Sequence, residues 1–325
     1  MNGANGSRTL VFSAPRYDYM SKVICSGGHF VPGIFHEGTH PNGEVWGNIP
    51  EFDMERARDG KVVVIGSTDR GDFEAMLAIG TELARVAEEV NYLVFFSRYA
   101  TKERRDGYGD VVAAKNMCER LSDAPAPGIR KRVFFLDLHA DQMEFYCDRR
   151  QIITEHIRAH TLFADVIRAN MGPGKMFGEK VAIGSADYGR KSAVMTLADE
   201  LGVPFGLVAK ERTSASDTRV LGQVVGDVAG RTVLLLDDML RGGSTCIGGA
   251  KAHLSAGAES VWVLVTHPDF VKDPLQLLRN TGLVKGVIFG DTYPNYTLAS
   301  SYPDFAHVIP TGHYVANILA TRYRL

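Results

Sequence analysis

Short apolar runs recur along the whole chain, at Thr9–Ser13, Val62–Gly66, Tyr92–Phe96, Val133–Leu136, Val181–Gly184, Phe205–Ala209, Thr232–Leu236, Ser260–Val265 and Gly286–Phe289. Each has the length and branching of a buried strand. Amphipathic helical patterns lie between many of them, at Phe73–Val90, Val111–Leu121, Arg190–Leu201 and Thr245–Ala256. Strand alternating with helix predicts a mostly parallel α/β sheet covered by helices on both faces. The segments Val62–Asp69 and Val181–Asp187 echo one another, and each precedes a helix and a further strand, which points to an internal duplication. At 325 residues the chain is long enough for two cores, and the boundary is placed between 1–155 and 156–306.

Composition removes several classes of function. A net charge of −2 lacks the basic excess that bulk nucleic-acid binding requires. No apolar run approaches the roughly 20 residues that span a bilayer, and the first residues, Met1–Ser7, lack a basic stretch followed by an apolar core. No membrane contact is expected, and the expected location is the cytoplasm. Cys25, Cys118, Cys147 and Cys246 show no C-x-x-C spacing, and the histidines show no H-E-x-x-H pattern. Reduced thiols are expected, and no transition-metal site built by the protein alone.

The segment carrying the chemistry is Thr232–Thr245, Thr-Val-Leu-Leu-Leu-Asp-Asp-Met-Leu-Arg-Gly-Gly-Ser-Thr. An apolar strand ends in Asp237 and Asp238, and a glycine-rich turn leads into a helix. Ligands of open parallel sheets bind at the carboxyl ends of the strands. Here paired carboxylates suit a diol, while Gly242, Gly243, Ser244 and Thr245 offer backbone N–H groups and hydroxyls at a helix N-terminus, suited to an anion.

This stretch resembles the phosphoribosyl-pyrophosphate (PRPP) loop shared by type I phosphoribosyltransferases and ribose-phosphate pyrophosphokinases, the PRPP synthetases. Asp137-Leu138-His139-Ala140-Asp141-Gln142-Met143 is similar to a signature of the synthetases that the transferases lack. Ser185-Ala186-Asp187-Tyr188-Gly189 resembles their Ser-Pro-Asp-x-Gly turn, and Lys210-Glu211-Arg212 the Lys-x-Arg that opens their mobile catalytic loop. Pro41–Val45 and Arg98–Arg104 fall where the family has its ATP-binding elements. Val265–Pro268 and Asp291–Pro294 continue the match. The resemblance implies two tandem phosphoribosyltransferase-like (Rossmann-like) domains, with a last helix near Gly312–Arg324, in the segment 307–325, packing back on the N-terminal half.

It also implies the reaction, transfer of the β,γ-diphosphoryl group of ATP to the anomeric hydroxyl of a ribose phosphate, with release of AMP. Lys210 and Arg212 would place positive charge on the phosphoryl oxygens, with Thr213–Thr218 as a mobile loop. His139 and Asp187 would lie near or on Mg²⁺, and Asp137 would orient His139. Asp237 and Asp238 would hold the ribose hydroxyls, and Arg241 through Thr245 the 5′-phosphate. Asn42, Glu44, Lys102, Glu103 and Arg104 map to the adenine side, which in the family comes from a neighbouring subunit; a homo-oligomer, dimer or hexamer, is therefore implied.

Departures from the family pattern narrow the acceptor. Arg241 stands where the family loop has an Asp, and Gly242 where it has a Thr; Thr101 and Lys102 replace Arg-Gln, and Asn42 replaces an Asp. A guanidinium and a vacated side chain suit a longer, more anionic 5′ substituent. ADP-ribose, which would yield ADP-ribose pyrophosphate, a precursor for NAD synthesis, is narrowly favoured over ribose 5-phosphate. The alternative of another class is a catalytically silent regulatory relative, similar to the PRPP synthetase-associated proteins. Lys210, Arg212, His139, Asp187, Asp237 and Asp238 occurring together weigh against it.

Overall fold

Two parallel sheets take up the apolar runs of the sequence. The computed structural model describes residues 8–124, 128–212 and 218–325; within these, Tyr188, 210–212 and 218–222 are described by their backbone alone. The first stretch of chain forms β1 (Thr9–Ser13), α1 (Asp18–Ser26), β2 (Phe30–Pro32), a hairpin of β3 (His36–Thr39) and β4 (Val45–Asn48), α2 (Glu51–Ala57), β5 (Lys61–Ser67), α3 (Arg70–Leu83), β6 (Glu89–Phe96), α4 (Ala113–Asp123), β7 (Arg130–Leu136) and β8 (Ile153–Ile157). There follow α5 (His160–Asn170), β9 (Val181–Ser185), α6 (Lys191–Leu201), β10 (Phe205–Arg212), β11 (Thr218–Gly226), β12 (Thr232–Met239), α7 (Ser244–Ser255), β13 (Ser260–His267), α8 (Pro274–Thr281), β14 (Gly286–Gly290), β15 (Ala306–Ile309) and α9 (Gly312–Arg322). The chain divides into two compact units between Arg158 and Ala159, and Thr311–Leu325 belongs with the first.

The first unit is a six-stranded sheet in the order β2-β1-β5-β6-β7-β8, every pair of it parallel. All of β6 is buried, as expected of a central strand covered on both faces, and this is why its sequence is a continuous apolar run with little alternation. Helix α9 closes the unit: Val315, Ala316 and Leu319 pack in one cluster with Met20 and Ile24 of α1 and with Phe134 and Leu136 of β7.

The second unit is a seven-stranded sheet in the order β11-β10-β9-β12-β13-β14-β15. It is parallel except at β10–β11. Val233 and Leu235 of β12 reach the core beside Val261 and Val263 of β13 and Ala250 of α7. Truncating such a side chain to alanine typically costs about 2–5 kcal/mol, so the strand that carries the paired carboxylates is held by its own interior face.

Two expectations are corrected. The helical spacing predicted over Phe73–Val90 breaks at Leu83: the Val86 N–H closes a turn on Leu83 O (3.0 Å), the Val86 carbonyl takes Asp59 N–H (2.9 Å), and Val90 already lies in β6. The apolar residues of the next strand had extended the helical pattern. Lys210 and Arg212 lie within β10, paired with Val220 and Thr218 of β11. Thr218 is therefore the first residue of a strand rather than the end of a loop, and 213–217 lie outside the described residues.

Candidate functional site

Strand order places the chemistry of the second unit. β9 and β12 are parallel neighbours, with Ser185 opposite Leu236, so the residues that follow them, Asp187 and Asp237–Asp238, leave the sheet at the same edge. Asp187 is half-buried, and its Oδ1 accepts the Gly189 N–H at 2.8 Å, which folds the turn after β9. Asp238 is buried at 1% exposure, and Asp237 Oδ1 accepts the Asp238 N–H at 2.9 Å. Burial, followed by the charge and side-chain hydrogen bond of Asp238, pushes the Asp237 carboxyl well above its ordinary value; Arg190 and the Asp238 N–H work in the opposite direction. Two carboxylates this close favour holding one proton between them until something cationic or a hydrogen-bond donor arrives.

The turn after β12 is built for close approach by a ligand. Gly243 takes the left-handed conformation, φ 85° and ψ −8°, at the N-cap of α7, a conformation a side chain would strain. No side chain caps that terminus, and the first turn carries no acidic residue. Ser244 and Thr245 are exposed there. A Cβ added at Gly242 would meet nothing within 4 Å, so open space lies at that position. Gly249, one turn further on, lets α7 approach the loop after β9: a Cβ there would come within 2.8 Å of the Ala186 backbone. The turn is also anchored from the side. Leu240 N–H reaches His267 O at 3.0 Å, Val271 N–H reaches Arg241 O at 3.1 Å, and Arg241 Nε donates to Asp269 Oδ2 at 2.5 Å. Arg241 is thus a fixed part of the turn.

Sequence reasoning missed Arg190 and Asp269 and gave no role to His267 or Thr292. The His267 Nδ1 lies 2.9 Å from the Thr292 hydroxyl, which in turn donates to Thr266 O at 3.0 Å. The threonine has a single proton and spends it on Thr266, so His267 Nδ1 is the donor. The signal was the Thr266-His267 and Asp291-Thr292 segments, which matched the family without an assigned task. Arg190 follows directly on the Ser185–Gly189 turn.

The first unit holds the remaining predicted residues at separate places. The signature Asp137–Met143 leaves β7 at its carboxyl end; Asp137 is buried and takes φ 42°, uncommon for a side-chain-bearing residue, while His139 is exposed. Lys102 and Arg104 are exposed after β6, but Glu103 is buried at 7%, and its carbonyl accepts the Tyr146 hydroxyl. Burial makes Glu103 a poor direct ligand. Asn42 and Glu44 sit at the exposed tip of the β3–β4 hairpin, where Asn42 Oδ1 accepts the Glu44 N–H at 3.1 Å and so shapes the turn. Phe35, His36, Trp46 and Asn48 line an open cleft of 890 Å³ at the base of that hairpin. The side chains of Lys210 and Arg212 lie outside the described residues. Among the described residues no helix is long and apolar enough to cross a membrane, and the four cysteines are free thiols.

No family model matches the chain. Among curated proteins it is 28% identical over 261 residues to a ribose-phosphate pyrophosphokinase of Caldanaerobacter subterraneus, covering 79% of this chain and 77% of that one. It is 27% identical over 293 residues to the enzyme of the same name from Porphyromonas gingivalis, covering 89% and 88%. Among solved structures, phosphoribosylpyrophosphate synthetase from Mycobacterium smegmatis superposes with a TM-score of 0.77 at 23% identity, over 97% of this chain and 99% of that one. With the motifs falling at the strand ends described above, the chain is a divergent relative of the ribose-phosphate pyrophosphokinases.

Proposed function

We propose that this protein transfers the β,γ-diphosphoryl group of ATP to the anomeric hydroxyl of a ribose 5-phosphate moiety. The sugar oxygen bonds to Pβ, the bond from Pβ to the α–β bridging oxygen breaks, AMP leaves with that oxygen, and the hydroxyl proton is lost. The observation that carries the reading is the Asp237–Asp238 pair at the carboxyl end of β12, one turn before the uncapped N-terminus of α7. Carboxylates accept charge-assisted hydrogen bonds from a vicinal diol, while the helix terminus receives the 5′-phosphate. Lys210 and Arg212 act on the transferring phosphoryl oxygens, and Asn42, Glu44, Lys102 and Arg104 serve the ATP side.

Mg²⁺, when bound, would bridge the phosphate oxygens and offset their charge. The residues fit it: Asp187 and the Asp237–Asp238 pair offer hard oxygen donors at one sheet edge, and Mg²⁺ needs few protein ligands because it keeps its waters. His139 stands exposed on its own loop for an outer role. The working state is proposed to be a homo-oligomer in the cytoplasm.

ADP-ribose is the favoured acceptor. Open space at Gly242 and a guanidinium fixed beside it by Asp269 suit a 5′-diphosphate ester. Ribose 5-phosphate is the second reading, favoured by the curated relatives, whose name is that of ribose-phosphate enzymes. Measuring kcat/KM for both acceptors in wild type and Gly242→Thr separates them. ADP-ribose should be preferred by wild type and lose about 10-fold relative to ribose 5-phosphate on filling the space. A wild type that uses ribose 5-phosphate and ignores ADP-ribose would return the protein to the ordinary synthetases.

A further inference from the structure

The loop that carries His139 is held by a histidine to which the sequence patterns assign nothing. β7 and β8 are parallel, with Phe135 opposite His156 and Leu136 opposite Ile157. Past Leu136 the chain turns sharply: Asp137 N–H still reaches Ile157 O at 2.8 Å, Asp137 takes φ 42°, and the next amide, Leu138 N–H, donates to His156 Nε2 at 2.8 Å. A side chain from the neighbouring strand thus takes over the ladder where the backbone leaves it. The ring is 4% exposed, and its Nδ1 lies 3.2 Å from Asp141 Oδ1 and 3.3 Å from Glu144 Oε1, both on the 3₁₀ turn that follows His139.

The two nitrogens fix one another. Because Nε2 faces an N–H donor it must be the acceptor, so the neutral ring carries its proton on Nδ1, toward the two carboxylates. These three side chains bring possible ligand atoms within 4.8 Å of one another, yet a cation on Nδ1 would push the proton to Nε2, against the Leu138 N–H. The arrangement is that of an orienting histidine, with the carboxylates setting its tautomer. Asp141 is itself anchored by Arg158 Nη1 at 2.9 Å, and the Tyr314 hydroxyl of α9 donates to Arg158 O at 2.8 Å.

We propose that His156 is a positioning residue: by receiving the Leu138 N–H it sets the Asp137–His139 turn, and so the place of His139, without touching substrate. The kinetic arm of its test rests on the proposed diphosphokinase activity; the exchange arm does not. In His156→Gln the side-chain Oε1 occupies the position of Nε2 and still accepts the Leu138 N–H. In His156→Asn the amide replaces only the Nδ1 end, so the carboxylates keep a donor and Leu138 loses its acceptor.

In the full chain, Leu138 amide exchange should be near wild type in the glutamine variant. It should be faster by on the order of 10-fold in the asparagine variant, at matched melting temperature. The kcat for AMP release should follow the same order, falling about 10-fold or more in His156→Asn with little change in KM, and being largely restored in His156→Gln. Wild-type exchange and kcat in His156→Asn would overturn the proposal. So would a folded His156→Gln that exchanges fast and turns over slowly, which keeps the test decisive if the asparagine variant fails to fold. Slow exchange without AMP release in wild type would sink the functional reading and leave the positioning role standing.

Discussion

The strand ends after β5 and after β9 carry nearly the same sequence, Ile65-Gly-Ser-Thr-Asp69 and Ile183-Gly-Ser-Ala-Asp187, and opposite electrostatics. At the first, Asp69 lies 3.0 Å from Arg16 and 3.7 Å from Arg98, and the buried Asp72 accepts the Ser67 hydroxyl at 2.6 Å. Burial raises the Asp72 carboxyl, with Ser67 and Arg16 opposing it. At the second, Asp187 shares a sheet edge with Asp237 and Asp238, and only the more distant influence of Arg190 on Asp237 opposes the gathering of negative charge. One backbone motif therefore closes a structural ion pair in one unit and assembles a diol- and cation-holding edge in the other. The strand supplies the placement, and the neighbouring charges decide the use.

The contrast is tested most severely at the second edge. Lys210→Ala and Arg212→Ala should each lower kcat by on the order of 10²-fold with smaller effects on KM, read in steady-state AMP release, because these cations are proposed to act on charge that develops in the transition state. Retained turnover in both would remove them from the chemistry.

Next in size, Asp238→Asn should weaken the sugar acceptor by about 10- to 100-fold with little effect on ATP, since a carboxylate accepts stronger hydrogen bonds from a diol than an amide does. Asp69→Asn should leave both KM values unchanged and shift only thermal stability, by about 1 kcal/mol or less for a half-exposed pair. Equal acceptor losses in the two variants would erase the distinction between the strand ends.

The smallest effect is on stability and its sign is opposite at Asp237. A carboxyl raised in the folded state means that the folded protein binds more protons than the unfolded chain. Its contribution is fully present below the unfolded value, about pH 4, and is lost as pH rises through the folded one. Asp237→Asn should therefore raise the melting temperature of the ligand-free protein at neutral pH, and the gain should vanish toward about pH 4. A melting temperature lowered at neutral pH would show that Asp237 is stabilised as an anion.

The parts legible in the sequence are those where local pattern and tertiary role agree. β12 reads as a strand because Val233–Leu236 are buried on both faces, and its turn reads as a ligand loop because Gly243 needs a left-handed conformation. The echo between Val62–Asp69 and Val181–Asp187 locates equivalent strands in the two sheets. What stays hidden depends on partners distant in sequence. Arg241 looks like a ligand until Asp269, 28 residues on, is seen to hold it. Glu103 looks like surface charge until it is found buried. His156 carries no motif, and its task exists only because β8 lies beside β7. The helix read through Val90 failed for the complementary reason, a strand whose spacing happened to continue the helical period.

The central claim is that the edge formed by β9 and β12 presents a ribose to an attack on the β-phosphorus of ATP. Incubation with Mg²⁺, ATP and either ribose 5-phosphate or ADP-ribose, followed by phosphorus NMR and product mass, tests it directly. The account predicts AMP and an acceptor heavier by a diphosphoryl group at the anomeric carbon, abolished in Asp238→Asn at low acceptor concentration; ADP as the nucleotide product, or no turnover with either sugar, would contradict it.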